Sequence, residues 1–582
     1  MATSLADARS TTAAANGAAR PHRPLVEALV VLTVAAGAAI ACTWPLATEL
    51  GRVAHDAYDP LVQAWTLDWV QHAIRSPSHL FDANMFAPQP DTLAYSDSLI
   101  GIAIPFLPLR WLGVSPIAQL NVAVLVGTTF TAASAYLFGR VATGSRAVAA
   151  VTGAGFAFGP IATVHLGHVQ TIWRAGMPLS AAAVWVLADR AERGASTWPP
   201  ALALFAALSW QASVSFGTTA YAAVTVVVVL LVRARSLGRR GGIAAALALV
   251  GAAGVTLLLA IPYLENSARF HDFNFPLKTV SGYYVDFTKT DPRIWLWGSA
   301  LGRGTGWPAL GGMSFPGVVL LVLTPFGAVS AWRDRRMRRV AVAGLALVVT
   351  GLALGIGASN KGWRQFTPYR VLYDFVPGWH ALRAADRTWL VGLLGMSLLA
   401  GVGARAIGRW LAARGFRAGV AVVTALAAVA ILVEGYAPWT GLPTARVHAV
   451  DTYLASLHTP GGVVYLPGNA TGTDVLDLSF FDQPADMYES TAHHRPMPNG
   501  FSSYVPKSYA RTFAKLRSLP DERALGTLRA LGIRYVVVHP KVAGGPWDRL
   551  LRPDLARPLR FVGRFGTDLL YEVPGARSGR RS

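Results

Sequence analysis

Long apolar runs with few or no charges recur along most of this 582-residue sequence, and no other feature constrains its fold as strongly. Clear examples are residues 24–47, 116–139 and 242–263. Each run supplies the roughly 20 residues that a helix needs to cross a lipid bilayer. Hydrophobic residues make up 53% of the chain and charged residues only 14%, against about 25% charged residues in soluble domains. The sequence therefore predicts an α-helical polytopic membrane protein.

Eleven membrane-spanning helices are predicted, at about 25–47, 117–139, 147–164, 175–190, 199–214, 216–232, 242–263, 313–331, 340–357, 389–406 and 418–437. The lone cysteine, Cys42, lies in the first run, so the chain forms no internal disulfide. Residues 1–24, rich in Ala, Ser and Thr, are expected to be a disordered cytoplasmic tail. The run that follows exceeds the roughly 7 to 15 apolar residues of a signal peptide, which indicates an uncleaved anchor.

Arginines cluster in the short loops between alternate runs and predict the orientation of the chain. Seventeen of them lie in the loops 140–146, 190–193, 233–240, 333–339 and 405–417. By the positive-inside rule these loops face the cytoplasm, as does the N-terminus. The rule also accounts for the net charge of +21, so no nucleic-acid partner is expected.

Residues 96–114 are apolar enough to suggest a twelfth span, but Pro105, Pro108 and Arg110 interrupt them. A crossing here would move every later basic loop to the outer side. We therefore expect a re-entrant or interfacial segment, which is tolerated in a membrane protein where other parts of the chain bury it.

This orientation places three long loops, 48–115, 264–312 and 358–388, on the outer side, together with the tail 438–582. The tail contains β-branched and aromatic stretches typical of strands and apolar spacing typical of helices. The predicted strands are 462–466, 534–539, 560–564 and 567–573, and the predicted helices are 508–517 and 521–531. Residues 25–437 are thus expected to form the membrane domain, and 438–582 an extracytoplasmic α/β domain.

Ionisable residues are nearly absent from the middles of the predicted spans, which counts against a transporter. Carboxylates concentrate instead in the first outer loop, where Asp56 and Asp59 precede Pro60. Pro60 suits the first position of a helix, and Asp59 suits its N-cap. On spacing alone, a helix cap is the simpler interpretation of Asp59, and catalysis is the alternative.

Three further sets of polar residues are candidates for substrate binding. His165 and His168 share one face if the third span continues past them, and Gln170 follows. They suit contacts to sugar or phosphate, with a metal site as the alternative. Asp97 suits either an acceptor site or a helix cap.

Arg370, Arg383 and Arg387 lie in the outer loop 358–388, where the positive-inside rule disfavours them. Arginine binds phosphate with a bidentate geometry, so these residues are candidates for holding a phosphate. The alternative is an ion pair with Asp374 or Asp386.

The anchor, the acidic first outer loop, about ten further spans and the outer tail domain together resemble the GT-C fold superfamily of polytopic membrane glycosyltransferases. That superfamily includes protein O-mannosyltransferases and aminoarabinose transferases. Several stretches resemble its uncharacterised bacterial members, namely 59–61 with Trp65 and Trp69, 81–86 with Pro88, 92–97, 165–170, 377–379 with Leu382, Arg383 and Arg387, and 494–496 with 499–501.

The resemblance implies transfer of a sugar from a polyprenyl-phosphate donor to a lipid-linked glycan or another cell-envelope polymer, at the outer face of a bacterial inner membrane. It assigns the role of catalytic base to an acidic residue of the first outer loop, which Asp59 matches first and Asp56 second. No cofactor is certain, and a divalent cation stays open because Asp56 and Asp59 do not form the DxD arrangement of some metal-dependent relatives. A non-catalytic envelope scaffold and a lipid or glycan transporter are the alternatives.

Overall fold

The computed structural model describes residues 22–285, 314–436, 443–468 and 481–576. The predicted tail up to residue 21 and much of the loop 264–312 lie outside these ranges. Eleven long helices lie in the described part of the first three-quarters of the chain, and two short helices, α5 and α6, flank the turn at residues 165–168. In chain order they are α1 His22–Cys42, α2 Asp59–Ala73, α3 Pro116–Thr143, α4 Arg146–Phe158, α5 Pro160–Val164, α6 Val169–Ile172, α7 Gly176–Glu192, α8 Trp198–Val214, α9 Phe216–Arg269, α10 Val318–Arg333, α11 Arg338–Gly355, α12 Trp389–Ala413 and α13 Gly419–Glu434.

Each predicted span overlaps a helix of the described chain. The spans 216–232 and 242–263 are two halves of α9, which loses helical geometry at Gly238, where φ is 55°. Gly238 lies in the basic segment 233–240, and glycine adopts positive φ without the steric cost that a Cβ imposes. The expected polytopic helical fold is confirmed, and the number of crossings stays a prediction.

Seven helices in the described ranges are long and apolar enough to cross a membrane. Three shorter apolar helical stretches are Ile100–Trp111, Val318–Arg333 and Gly419–Glu434. Large aliphatic side chains such as Leu231 and Leu258 are about 70% exposed on the outside of the bundle. An apolar exterior of this kind is suited to contact with lipid.

Helix α12 is the centre of the membrane domain, and residues 389–404 within it are buried almost without interruption. It packs against α10, α11 and α4 through small residues. A Cβ added at Gly351 of α11 would overlap the backbone nitrogen of Gly392 in α12. Small residues allow helix backbones to approach closely, which strengthens packing in lipid.

The tail contains a four-stranded sheet with the order β1-β2-β4-β3. The strands are β1 Gly462–Leu466, β2 Ile533–Val538, β3 Arg560–Phe565 and β4 Asp568–Glu572, and β1 pairs with β2 in parallel while β4 pairs antiparallel with both β2 and β3. Helices α14 Ala449–Ser456, α15 Gln483–Glu489, α16 Lys507–Leu516 and α17 Glu522–Ala530 accompany the sheet. The predicted C-terminal α/β domain is therefore confirmed, with strand ends that differ by at most one residue.

The first long loop and the tail domain share one hydrophobic core. The backbone N–H of Phe86 donates to the carbonyl of Asn499 at 2.9 Å, and that of Met497 donates to Asn84 at 2.8 Å. A β-bridge joins Val53 to Thr444. Because these contacts are direct, the loop and the tail domain lie on the same side of the membrane.

The contact between the first long loop and the tail domain also bears on whether residues 96–114 cross the membrane. Two segments on the same side must be separated by an even number of crossings, which the ten predicted spans between them provide. A further crossing at 96–114 would break that parity. The helical stretch Ile100–Trp111 is also only about 18 Å long at 1.5 Å per residue, short of the ~30 Å hydrocarbon core. Both observations favour the re-entrant or interfacial interpretation.

Candidate active site

Asp59 faces a histidine from another part of the chain. Its Oδ2 lies 3.0 Å from Nε2 of His168. Helix α2 begins at Asp59 with Pro60 next, and the N-cap position belongs to Tyr58. No side-chain capping hydrogen bond is made at this helix start. The interpretation of Asp59 as a helix cap is therefore wrong, because the helix begins one residue earlier than expected and the carboxylate turns to His168.

His165 and His168 lie in a turn. Helix α5 ends at Val164, and His165 is its C-cap, whereas His168 is the N-cap of α6. The two rings are nearly perpendicular, with centroids 6.1 Å apart. The helix does not continue past Val164, so the condition for a shared helix face is not met.

Gly167 lets the first outer loop approach this turn. A Cβ built at Gly167 would lie 3.0 Å from Oδ2 of Asp56 and 3.1 Å from Nδ1 of His55. Asp56 in turn accepts a hydrogen bond from the N–H of Tyr58 at 2.8 Å, and its other oxygen lies 3.5 Å from Nδ1 of His55. Asp56 thus shapes the loop immediately before Asp59.

Gln63 holds the histidine turn from both sides. Its Nε2 donates to the carbonyl of Gly167 at 2.9 Å, and its Oε1 accepts from the N–H of Val169 at 2.8 Å. Gln63 follows Asp59 by four residues, so both lie on one face of α2. Sequence analysis missed Gln63, although its spacing from Asp59 was a usable signal.

The arginines of the loop 358–388 differ in what they contact. Arg370 pairs with Asp374, Nε to Oδ2, at 2.6 Å and also donates to Asn360. The guanidinium of Arg383 lies over the rings of Phe275 and Tyr283, at 5.4 and 5.5 Å. The ion-pair alternative thus describes Arg370.

Arg387 lies in the turn Ala385–Thr388, immediately before α12. Its side chain makes no ion pair with a carboxylate of the described residues. Its charge nevertheless influences the ionisation of Asp59, Asp97, His165 and His168. The guanidinium is therefore central to the electrostatics of this site and is available to an anionic ligand.

Both partners of the Asp59–His168 contact have lowered pKa values. Burial opposes ionisation of Asp59, but the hydrogen bond from His168, the charge of His168 when protonated, and the charges of Arg387 and Arg383 outweigh it and lower the pKa of Asp59. Burial and the charge of Arg387 lower the pKa of His168. With Nε2 turned to Asp59, Nδ1 of a neutral His168 is left as a hydrogen-bond acceptor.

Asp97 caps a helix distant in sequence. Its Oδ1 accepts from the N–H of Phe216, the first residue of α9, at 3.3 Å. Burial raises the pKa of Asp97 to about 6, and a hydrogen bond from Ser215 and the charge of Arg387 oppose the shift. The capping alternative thus describes one contact of Asp97, and its interaction with Arg387 links it to the site.

Several buried polar atoms near this site lack a hydrogen-bond partner among the described residues. They are Nδ1 of His165, Nδ1 of His168, Oε1 of Gln170 and Oδ1 of Asp386. Buried polar atoms are normally paired, so a group of orphaned ones indicates a place for a polar ligand. Among the residues the structure describes, no set of three potential metal ligands forms around Asp59, and both such sets lie in the tail domain.

An apolar groove of about 660 Å³ opens on the membrane domain between α3, α7 and α8. Trp173 and Trp210 line one part of it, and Arg190 another. Trp173 also caps the end of α6, the helix that begins after His168. The short helix α6 therefore lies between His168 of the histidine turn and Trp173 of the groove wall.

Comparison with known proteins shows which solved structures have a similar architecture. No protein-family model matches the sequence, and no curated protein does at a significant level. Solved structures are similar. ArnT from Cupriavidus metallidurans in the apo state has 14% identity and a TM-score of 0.49 over 96% of this chain and 98% of that one. The archaeal oligosaccharyltransferase AglB from Archaeoglobus fulgidus, in complex with an inhibitory peptide and a dolichol-phosphate, has 12% identity and a TM-score of 0.41 over 88% and 69%.

The arabinofuranosyltransferase AftD from Mycobacteria has a TM-score of 0.51 and 16% identity over 94% of this chain. This chain spans 42% of the length of AftD. Likeness at this identity concerns the fold alone. The expected resemblance in fold is confirmed, and the chain has a fold of the GT-C type, similar to that of AftD.

Proposed function

We propose that this protein is a membrane glycosyltransferase that moves a sugar from a polyprenyl-phosphate donor to an acceptor hydroxyl, with Asp59 as general base. The main observation behind the proposal is the contact between Asp59 and His168 at 3.0 Å. The positive charge of Arg387 helps to lower the pKa of Asp59. The GT-C fold supports this class of reaction.

The proposed chemistry needs a carboxylate that is ionised before the reaction begins. The lowered pKa of Asp59 meets this requirement at neutral pH. As the acceptor oxygen bonds to the anomeric carbon, its proton becomes acidic and passes to Asp59. His168 orients the carboxylate and leaves Nδ1 free to accept a hydrogen bond from the sugar.

The bond between the anomeric carbon and the phosphate oxygen breaks in the same step, and its electron pair leaves with the polyprenyl phosphate. Arg387 is proposed to bind that phosphate, because its guanidinium makes no ion pair with a described carboxylate and arginine binds phosphate with two parallel hydrogen bonds. Arg383 adds positive charge to the same region. Arg370 is less suited, since Asp374 occupies its guanidinium.

Binding of the donor lipid is proposed at the groove between α3, α7 and α8, whose walls are mostly apolar. His165, Gln170 and Asp97 are proposed to contact the sugar or the acceptor, since orphaned polar atoms of the first two are buried beside the histidine turn. A divalent cation at Asp59 is not part of the proposal.

The loop 48–115 and the tail domain are proposed to be extracytoplasmic, with the N-terminus in the cytoplasm of a bacterial cell. The arginine-rich loops support this orientation through the positive-inside rule. The acceptor would then be a lipid-linked glycan or another envelope polymer, and the tail domain lies beside the loop that carries Asp59.

The test is an assay of the full-length protein in liposomes with a panel of polyprenyl-phosphate sugars and a crude envelope extract as acceptor. Release of free polyprenyl phosphate is followed for the wild type, for Asp59→Asn and for Glu265→Gln, which alters an exposed carboxylate at the outer end of α9. We expect release by the wild type and Glu265→Gln, and a loss of roughly 100-fold or more in Asp59→Asn.

Equal release by Asp59→Asn and the wild type would contradict the role of Asp59 as base. Absence of release from every donor, with correctly inserted protein, would favour a non-catalytic scaffold. Movement of intact donor across the bilayer without release would favour a transporter.

A further inference from the structure

A second cluster of histidines and carboxylates lies in the tail domain, at the end of its parallel strands. His539 directly follows β2, and Asp568 begins β4, the antiparallel neighbour of β2. Asp486 and Glu489 are three residues apart on α15 and share a face. The carboxyl ends of parallel strands are the usual position for ligand-binding residues in α/β domains.

Asp568 orients two histidines of this cluster. Its Oδ1 accepts from Nδ1 of His539 at 2.9 Å, and its Oδ2 accepts from Nδ1 of His448 at 2.9 Å. Both imidazoles therefore turn Nε2 away from Asp568. Nε2 of His539 lies 3.5 Å from Oδ1 of Asp486, and Nε2 of His448 lies 3.5 Å from Oε1 of Glu489.

These two separations of 3.5 Å are long for hydrogen bonds, whose usual N–O distance is about 2.9 Å. They agree instead with two ligands of one metal ion. Ligand atoms about 2.1 Å from a tetrahedral zinc ion lie about 3.4 Å from one another. A carboxylate that accepts from Nδ1 of a metal-binding histidine is also the usual support of such sites, and Asp568 has that position.

Glu489 has a buried carboxylate oxygen without a hydrogen-bond partner. Its side chain is 6% exposed, and Oε2 has no hydrogen-bond partner among the described residues. Oδ2 of the fully buried Asp451 also lacks one. In contrast, Oδ2 of Asp486 accepts from Gln483 at 3.1 Å, which leaves its Oδ1 to His539. Within the described ranges, no lysine or arginine pairs with Asp451, Asp486 or Glu489, and the basic groups that face them are histidines. A bound cation would add positive charge beside these buried carboxylates, whose burial is costly.

We propose that the tail domain binds one divalent cation of the zinc class through Nε2 of His539 and the carboxylates of Asp486 and Glu489. The ligand atoms of these three residues lie within 4.8 Å of one another. His448 lies beside Glu489, and Asp568 accepts a hydrogen bond from Nδ1 of each histidine.

The ion would join the end of β2 to helix α15, and the hydrogen bond between His539 and Asp568 would connect the start of β4 to the site. It would therefore stabilise the domain that packs against the loop carrying Asp59. Binding of a metal by the folded state alone is folding free energy. This site is independent of the proposed transfer reaction, so failure of either proposal leaves the other standing.

The test uses the full-length protein in detergent, purified with an affinity tag that contains no histidines. The protein is stripped with a chelator, titrated with ZnCl₂ and analysed for bound metal by mass spectrometry. We expect one equivalent of zinc and a Tm that rises with zinc concentration. Substitution with Co²⁺ should produce the visible absorption of a low-symmetry site with nitrogen and oxygen ligands.

Glu489→Gln and His539→Gln should each weaken zinc binding at least tenfold, and Asp568→Asn should weaken it about 10- to 100-fold through the orientation of the histidines. His458→Gln, which alters an exposed histidine of the same domain, should bind as the wild type does. If the ligand variants fail to fold, the wild-type stoichiometry and the Co²⁺ spectrum still decide the matter. Less than stoichiometric binding by the folded wild type, or unchanged binding by a folded Glu489→Gln, would overturn the proposal.

Discussion

His168 lies with its Nε2 3.0 Å from Oδ2 of Asp59, and this contact joins the first outer loop to the turn between α5 and α6. The position of the proposed base therefore depends on two segments that are distant in sequence. A substitution that moves the histidine turn should therefore alter the proposed transfer rate even when the substituted residue does not contact substrate. Four predictions follow from this arrangement and from the contacts around it.

Gln63→Leu should reduce the transfer rate while the protein remains inserted and folded. The substitution removes both hydrogen bonds that hold Gly167 and Val169. Leaving these two buried backbone groups unpaired costs about 1–3 kcal/mol each. We expect the turn to move in order to pair them again, and this movement would displace His168. The rate is measured as release of polyprenyl phosphate. Gln365→Leu, at an exposed position of another outer loop, is the control, and equal rates for the two variants would contradict a positioning role for Gln63.

Arg387→Ala should impair transfer strongly, whereas Arg370→Ala should leave it nearly unchanged. The side chain of Arg387 makes no ion pair with a described carboxylate, whereas Arg370 pairs with Asp374 at 2.6 Å. Removal of a charged hydrogen bond to the leaving phosphate should cost about 1.5–3 kcal/mol or more. The readout is kcat/KM for the lipid donor, and Arg387→Lys should recover only part of the loss because lysine lacks the bidentate geometry. The reverse order of the two alanine variants would exclude Arg387 as the phosphate ligand.

Asp97→Asn should stabilise the protein at pH 8 more than at pH 5. Burial raises the pKa of Asp97 to about 6 from an ordinary value of 3.8. The folded state therefore binds more protons than the unfolded state between these values, so the wild type loses stability as pH rises through that range. Asparagine cannot ionise and escapes this loss, which is on the order of 1–3 kcal/mol. Thermal unfolding of both proteins in detergent checks the sign, and a difference in Tm that does not change with pH would contradict it.

Asp68→Asn should loosen the junction between the first outer loop and the tail domain. The carboxylate of Asp68 is 6% exposed and contacts both Arg110 and, at 2.6 Å, Nε2 of His494. Loss of these contacts should lower the free energy of unfolding by about 1–3 kcal/mol, measured as a decrease in Tm. The matched control is Asp554→Asn, on the surface of the tail domain. In a protein that already carries His494→Ala, Asp68→Asn should cost less, and full additivity would show that the two residues do not cooperate.

The helical membrane fold could be predicted because its signal is local. A run such as 242–263 must form its backbone hydrogen bonds within itself in lipid, so apolar length alone indicates a helix. The strand β1 was recognisable for a similar reason, since its five consecutive buried residues include four large apolar ones. The overall order of acidic loop, spans and tail domain was sufficient to indicate the GT-C resemblance.

The interior of the candidate site was less accessible to sequence analysis. Asp59 satisfied the pattern of a helix cap, and only the approach of His168 shows that its carboxylate turns elsewhere. Asp97 satisfied the same pattern, and the helix it contacts begins at Phe216, far along the chain. Arg370 and Arg387 were equivalent by sequence, and they differ only in whether a carboxylate reaches them.

The sequence by itself determined that this chain is a multi-pass helical membrane protein with an acidic first loop and a C-terminal α/β domain. Tertiary structure alone decided that Asp59 meets His168, that Gln63 brackets that histidine, and that His539, Asp486 and Glu489 converge at one end of the sheet. The physical reason is the range of the forces involved. Lipid imposes hydrogen bonding within each segment, which local composition reveals, whereas contacts between distant side chains depend on how whole helices and strands pack.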